Sequence, residues 1–478
     1  MPGAGRCWEN ISLRDTFIKW NTSVVENDPA RKRGLCMITG DQNVILTEKH
    51  PSVASIGQTT SKLISSNDVS TYRGVLTDKD SFAAFGMGYI ASQKAHIALN
   101  YLIKSQKATL HYSHDCRCIV WTPNGKHLES VPHIEDPLFD DFSEEERALT
   151  LTTPGEYADR LNKVIEEYKG TEKANWINDT ISIAEIKATS KGRAALTFHA
   201  TMNMADYFES LRKWDETCCW WSWNKKFITS PFLKKIVLCA YGNEQEKQNG
   251  KTELKVNDAI MNIQMHRLTL CKLYGLKMPK DIIHQLVENA SHPERYTNQY
   301  QAVLTVTCAI IKKYYNDHKG VCVSMELDEN VKSRDYLFGQ LLAILDKMET
   351  STYKKGDERE PFAMRLLQRY RKQPLNTYEL IYAHVRKAYY PKLRIGSQVF
   401  YSKKIQEIMT ELNTICSEEK NWNKPLNEMY LVGYHLQLKE LYQKEEAEKV
   451  ADTTDSSDST DDVEATMKTA CADNQDFM

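Results

Sequence analysis

No stretch of this chain is a long hydrophobic run. Across its 478 residues no window approaches the roughly 20 apolar residues that a membrane helix needs. There is no nucleotide loop either: Gly86-Met-Gly88 is too short, and no Lys-Ser/Thr phosphate loop follows a strand. No serine or cysteine stands in a recognisable nucleophile elbow. A regular cysteine framework is missing as well. Twelve cysteines at irregular spacing fit reduced thiols and a cytoplasmic location rather than disulfides. No catalytic centre emerges, and the chain is read as not an enzyme, with no cofactor and no bound metal. An overall charge excess is also lacking. The net charge is −2, with 41% apolar and 26% charged residues, ordinary for a globular protein.

The charge balance hides an asymmetry. Residues 445–478 carry eleven acidic and two basic side chains, a net of −9, so the remaining body is about +7. From Val331 to Lys404 there are sixteen Lys or Arg against seven Asp or Glu, a net of +9. The tail, rich in Asp, Ser and Thr, buries too little apolar surface to order itself.

The basic stretch is patterned as helices. In Ser333–Met348 the residues Leu337, Leu341, Ile344, Leu345 and Met348 recur at helical spacing and predict one apolar stripe. Ser333 is placed to cap a first-turn amide, and Asp335 suits the positive helix end. Gly339 inside that helix costs roughly 1 kcal/mol against alanine, which a close helix–helix approach would offset. Further amphipathic segments start at Pro361, near Asn376, at Ser397 and after Pro425, separated by short polar joints. This is the pattern of an antiparallel bundle. Arg365, Arg369, Arg371 and Lys372 fall on one predicted helix, and Arg386, Lys387, Lys392 and Arg394 follow.

Ser-Arg-Asp-Tyr-Leu-Phe-Gly-Gln-Leu-Leu-Ala (333–343) and Gly433-Tyr434-His435 resemble motifs of the large-subunit family of type I-C CRISPR effector (Cascade) complexes. Lys62-Leu-Ile-Ser65-Ser66-Asn67-Asp68, Tyr72-Arg73-Gly74, Ser92-Gln93-Lys94-Ala95-His96 and a Lys-Trp-x-Glu-Thr-Cys block ending at Cys218 resemble the same family in the same order. The likeness spans about Arg14 to Leu441. Members usually carry a longer N-terminal region, so this chain is expected to lack part of it, and part of the reading of the protospacer-adjacent motif.

The resemblance implies a subunit that engages target duplex, holds the displaced strand and docks a helicase-nuclease. Its partners would be crRNA, target DNA, the backbone subunit and the crRNA 5′-end-binding subunit, with no membrane. Guide pairing supplies most sequence specificity, and the protein supplies backbone contacts.

The residues add detail along the chain. A helix is predicted over Leu13–Val25 and short strands near Arg31–Gly40 and Asn43–Thr47. The loop 57–68 is small and polar, able to offer amides and hydroxyls to phosphates or base edges. A helix over Ala91–Lys104 is expected to bury Ile97 and Leu102, and Leu110–Trp121 alternates like one strand. Strands flank Gly192-Arg193. The stretch Trp214 to Lys226 mixes tryptophans with Lys225 and Lys226, which suits either base stacking or a core. In the helix over Gln301–Tyr315, Lys312-Lys313 is expected to face outward. The nucleic-acid-binding set is therefore Lys62, Ser65, Ser66, Asn67, Arg73, Lys94, Lys225, Lys226, Arg365, Arg369, Arg371, Lys372, Arg386 and Lys387.

Two other readings stand beside this one. His111, His114, Cys116 and Cys118 are metal-ligand types at close spacing, which would serve a metal-dependent nuclease. The acidic tail would suit a protein-interaction scaffold. The expected architecture is α+β and mostly helical: a mixed α/β part over 1–133, a mainly helical middle over 134–324, a bundle over 325–444 large enough for a self-contained core, and a disordered tail over 445–478; the family resemblance implies that the bundle is also made separately, starting at Met325.

Overall fold

The computed structural model describes residues 10–53, 56, 61–64, 82, 85–104, 109–123, 151, 153–169, 179–190, 192–223, 226–247, 249–354, 356–357 and 359–455, with backbone alone for 164–169, 418–419 and 446–455. The architecture is α+β and mostly helical.

The N-terminal part starts with α1 (Ile11–Glu26), a two-stranded ribbon of β1 (Arg33–Gly34) and β2 (Val44–Ile45), and α2 (Tyr89–Lys104). A four-stranded antiparallel sheet follows, in the order β3 (Thr109–His111), β4 (Cys116–Trp121), β5 (Thr180–Ser190), β6 (Arg193–Asn203). The single strand expected over Leu110–Trp121 is thus a hairpin. Its turn is set locally, where Ser113 donates to Asp115 Oδ1 at 2.6 Å and Arg117 donates to the Ser113 carbonyl. The β5–β6 hairpin turns at Gly192, whose φ of +79° suits glycine.

Strand alternation gives the sheet two buried faces. Ile119, Ile186 and Ala194 face a small core with Leu102 and Ile103 of α2. Cys118, Val120, Ile181 and Ile183 face the main core. On α2 the inward residues are Ser92, His96, Leu102 and Ile103, while Ile97 is exposed, contrary to expectation. The helix turns its Ser92–His96 edge inward because His50 Nδ1 bonds the Ser92 hydroxyl at 2.9 Å.

The middle is helical: α3 (Pro154–Lys169), α4 (Met204–Cys218), α5 (Leu233–Tyr241), α6 (Asp258–Tyr274), α7 (Lys280–Ala290) and α8 (Tyr300–Lys319), with ribbons β7 (Trp220–Ser222) to β8 (Phe227–Thr229) and β9 (Asn243–Glu246) to β10 (Thr252–Lys255). Lys312 and Lys313 are buried, correcting their outward placement. Lys312 Nζ donates to the Glu216 carbonyl at 2.8 Å, at the end of α4, where free carbonyls need donors. Lys313 pairs with Asp317 at 3.2 Å and lies over the Trp214 ring.

The C-terminal part holds α9 (Arg334–Thr350), α10 (Phe362–Arg365), α11 (Leu367–Lys372), α12 (Pro374–Ala388), α13 (Ile395–Glu419) and α14 (Met429–Asp455). Helix α9 is buried on every side from Tyr336 to Glu349, not along one stripe. Several of its polar side chains meet partners: Tyr434 donates to one oxygen of Asp346 at 2.6 Å, Tyr353 to Glu349 at 2.8 Å, and Lys347 pairs with Glu445. Ser333 precedes α9 in extended conformation, but its side chain makes no cap bond. The expected close approach at Gly339 is present. A Cβ there would strike the Tyr430 carbonyl on α14 and lie 2.8 Å from Tyr434 N.

Helix α14 continues to Asp455, well into the segment expected as a disordered tail, and residues 456–478 lie outside the described residues. One main core runs from Leu110 to Leu441 without interruption at 324. Tyr430 bonds Ser291 at 2.7 Å, Trp220 donates to His435 at 3.3 Å, and Met325 Sδ meets Cys219 Sγ at 3.6 Å.

Candidate nucleic-acid interface

The basic run after Pro361 is broken rather than continuous. Leu366, at φ −105° and ψ 7°, separates α10 from α11, so Arg365 and the residues from Arg369 onward lie on two short helices. Leu367 and Tyr370 anchor the second one, with the Tyr370 hydroxyl donating to the Phe338 carbonyl at 2.7 Å. This anchoring leaves Arg365, Arg369 and Lys372 exposed, and none has an ion-pair partner among the described residues. Arg365 lies 5.2 Å over the Phe362 ring. Asp357 pairs instead with Arg359 at 3.2 Å.

Arg371 departs from the group. It turns into the middle region and donates to Glu288 at 2.8 Å and Ser291 at 3.4 Å. Its carbonyl accepts from Leu426 N at 2.8 Å. It is a fastening between regions rather than part of the open face.

Helix α12 starts with Pro374 at its first position, which suits a residue without an amide hydrogen. Arg386 and Lys387 fall in its last turn, where cations favour the helix dipole. Both are exposed, and the Arg386 guanidinium stacks 3.8 Å over Tyr390. Beyond it, Lys392, Arg394 and Lys444 line a cleft of about 700 Å³ with Phe400 and Tyr401. Lys444 went unnoticed in the sequence because it stands at the edge of the acidic segment. Other cations are neutralised: Lys332 pairs with Glu411 at 3.0 Å and Lys404 with Glu329 at 3.8 Å.

The N-terminal candidates divide. Ser65, Ser66, Asn67, Arg73 and Lys225 lie outside the described residues. Lys62 is half-buried and its backbone lengthens the sheet: Lys62 N donates to Gly192 O and Lys62 O accepts from Ala194 N, both at 2.9 Å. Lys94 is exposed on α2. The Lys62 and Ser92–His96 motifs, far apart in sequence, meet around His50. Burial, then His96, then Lys62 hold the His50 imidazole down to about 4. Nothing in the local sequence marks His50 beyond its place before a proline. Lys226 is exposed with a left-handed φ of 56° and stands at a cavity of about 740 Å³.

The metal-type cluster is dispersed by the hairpin. His111 is exposed on β3, His114 is in the turn, and Cys116 and Cys118 are buried in β4. Burial pushes the Cys116 thiol up to about 12. Among the described residues no three His, Cys, Asp or Glu side chains gather as a metal ion requires. The tryptophans also divide. Trp214 and Trp220 are core, whereas Trp221 and Trp223 line the 740 Å³ cavity.

These features define a mostly helical α+β protein with an unneutralised basic face on its C-terminal helices. The family model described as CRISPR-associated protein (Cas_Csd1) matches residues 2–442. The chain belongs to that CRISPR-associated family. No curated protein matches it. Among the described residues, no helix is long and apolar enough to cross a membrane.

Proposed function

We infer that this protein is the non-catalytic large subunit of a type I-C crRNA-guided surveillance complex acting in the cytoplasm in antiviral defence. In that role it binds target DNA and holds the displaced strand. It sits beside the backbone subunit and the crRNA 5′-end-binding subunit, and it docks a recruited helicase-nuclease. The observation that carries the reading is the exposed set Arg365, Arg369 and Lys372, none of which forms an ion pair among the described residues. A phosphate backbone is the polyanion that such a face fits. Each phosphate it neutralises releases counterions and makes binding salt-dependent. Family membership over 2–442 supports the assignment to a CRISPR complex.

The test is co-expression of the full chain with the other complex subunits and crRNA. Co-purification of a stoichiometric assembly that binds target DNA with a steep salt dependence is the expected result. A chain that stays out of the assembly, or an assembly whose DNA binding is unchanged when the chain is omitted, overturns the reading.

A further inference from the structure

The cavity of about 740 Å³ lies between the middle region and the C-terminal helices. That volume is in the usual range for a small-molecule site, and a junction between packed units is a common place for one. Its walls are aromatic: Trp221, Trp223, Tyr296, Tyr300 and Tyr442. Trp223 and Tyr442 are set edge to face at 5.5 Å, which fixes the Trp223 ring.

Three carboxylates share the lining: Asp346, Glu294 and Glu360. Asp346 is buried, and while one oxygen accepts from Tyr434, Oδ1 has no partner. The indole N–H groups of Trp221 and Trp223 are likewise buried and unpaired. Buried polar atoms in folded proteins nearly all find partners, so three orphans on residues that line one cavity mark it as a candidate ligand site. The ligand must supply an acceptor to the indoles and a donor to the carboxylate, which a simple cation does not. These atoms are closed off from the cavity as it stands, so a ligand meets them only as the Trp221, Trp223 and Asp346 side chains turn toward it.

Against these carboxylates stand Lys226 and Lys439, the latter 4.5 Å over the Trp221 ring, so the interior has no net positive charge to draw in a phosphate and the backbone of a strand stays outside. Lys226 lies in the lining, and Arg365 is within electrostatic reach of the lining residue Glu360. Arg365 also begins the open basic face.

We propose that this cavity receives a single unpaired nucleobase bearing an exocyclic amine, stacked among Trp223, Tyr296 and Tyr442 with its amine toward the carboxylates. This rests on the nucleic-acid reading above and gives that surface a base-holding pocket beside its backbone-holding face.

The full-length protein is titrated with dGMP while its tryptophan fluorescence is followed, with dTMP and spermidine in parallel. In a second arm, a short single strand is compared with its fully abasic counterpart. dGMP should quench the wild type more strongly than dTMP does. The intact strand should bind roughly tenfold tighter than the abasic one, within what stacking of one base contributes. Trp223→Leu and Tyr296→Leu should each close that gap and weaken dGMP, with an unchanged salt slope. Near-UV circular dichroism confirms that they fold, and nearly isosteric Asp346→Asn provides a third variant that should lose the preference for dGMP over dTMP.

Equal binding of intact and abasic strands by the wild type, without dGMP quenching, overturns the pocket and leaves the backbone-binding reading standing. Quenching by spermidine but not dGMP overturns it in favour of a cation site. Quenching by dGMP with no binding of any strand keeps the cavity as a nucleobase site, but for a free nucleotide, and removes the strand together with the function inferred above.

Discussion

Gly433 on α14 lies against the carbonyl of Tyr336 on α9, and a Cβ at that position would stand 2.9 Å from the Tyr336 carbonyl carbon. Gly339 makes the reciprocal approach to Tyr430. The two glycines let the helix backbones touch, which no side-chain seam would permit. Gly339→Ala and Gly433→Ala should each cost about 2–3 kcal/mol by forcing the helices apart. The double variant should cost less than the sum, because the first methyl already opens the seam. Urea unfolding of the three proteins measures this, and an additive double variant would show that the sites are independent.

Asp346 makes stability depend on pH. Burial, opposed by the Tyr434 hydrogen bond and aided by Glu349, raises its pKa from 3.8 to about 6. The folded state therefore holds a proton that the unfolded chain has released, so this contribution is complete below about pH 4 and lost as pH rises through 6. Buried His435, held down to about 3, acts the other way, with stability lost as pH falls below about 6.5. The wild-type curve blends the two. Asp346→Asn isolates the first: it should gain on the wild type by on the order of 1–3 kcal/mol at pH 7.5 and show no advantage at pH 4. A difference independent of pH would contradict this.

The arginines of the basic run should separate by assay. Changing Arg365, Arg369 and Lys372 together to Ala removes three cations that form no ion pair among the described residues, and the log–log salt slope for single-stranded DNA should flatten by about 2. Helicity should be unchanged. Arg371→Ala should leave the slope alone and lower stability by up to about 1 kcal/mol, because its pair with Glu288 is partly exposed.

Lys62 separates backbone from side chain. Lys62→Ala keeps both sheet-edge hydrogen bonds and should melt like the wild type while weakening duplex binding in the assembled complex. Lys62→Pro deletes the amide that bonds Gly192 and should destabilise the sheet edge. If Lys62→Ala alone lowers the melting temperature by several degrees, the side chain is structural and not an anion contact.

The sequence was most legible where a helix has one dry side. The amphipathic segment near Asn376 is a helix in the structure, with Tyr378, Ile381, Val385 and Tyr389 buried at helical spacing. It was least legible where tertiary contacts override local pattern. Lys312 and Lys313 read as solvent-facing, yet the carbonyls ending α4 draw the first inward. Ile97 read as core, yet His50 turns Ser92 and His96 to that side. The break at Leu366 has no glycine or proline to announce it, and it changes which arginines share a face. Much of the loop over 57–68 lies outside the described residues, so that part of the candidate site rests on sequence alone.

Met325 is pressed against Cys219 and Lys312 inside the main core. A polypeptide that began there would carry half of a seam whose other half is Trp220, Ser291 and α8. Such a product and a chain ending at residue 324 are shaped as complementing fragments, each exposing what the other covers. Supplied together, they should recombine without a covalent link, as a protein cut in two does when the cut falls in a loop and the core is shared.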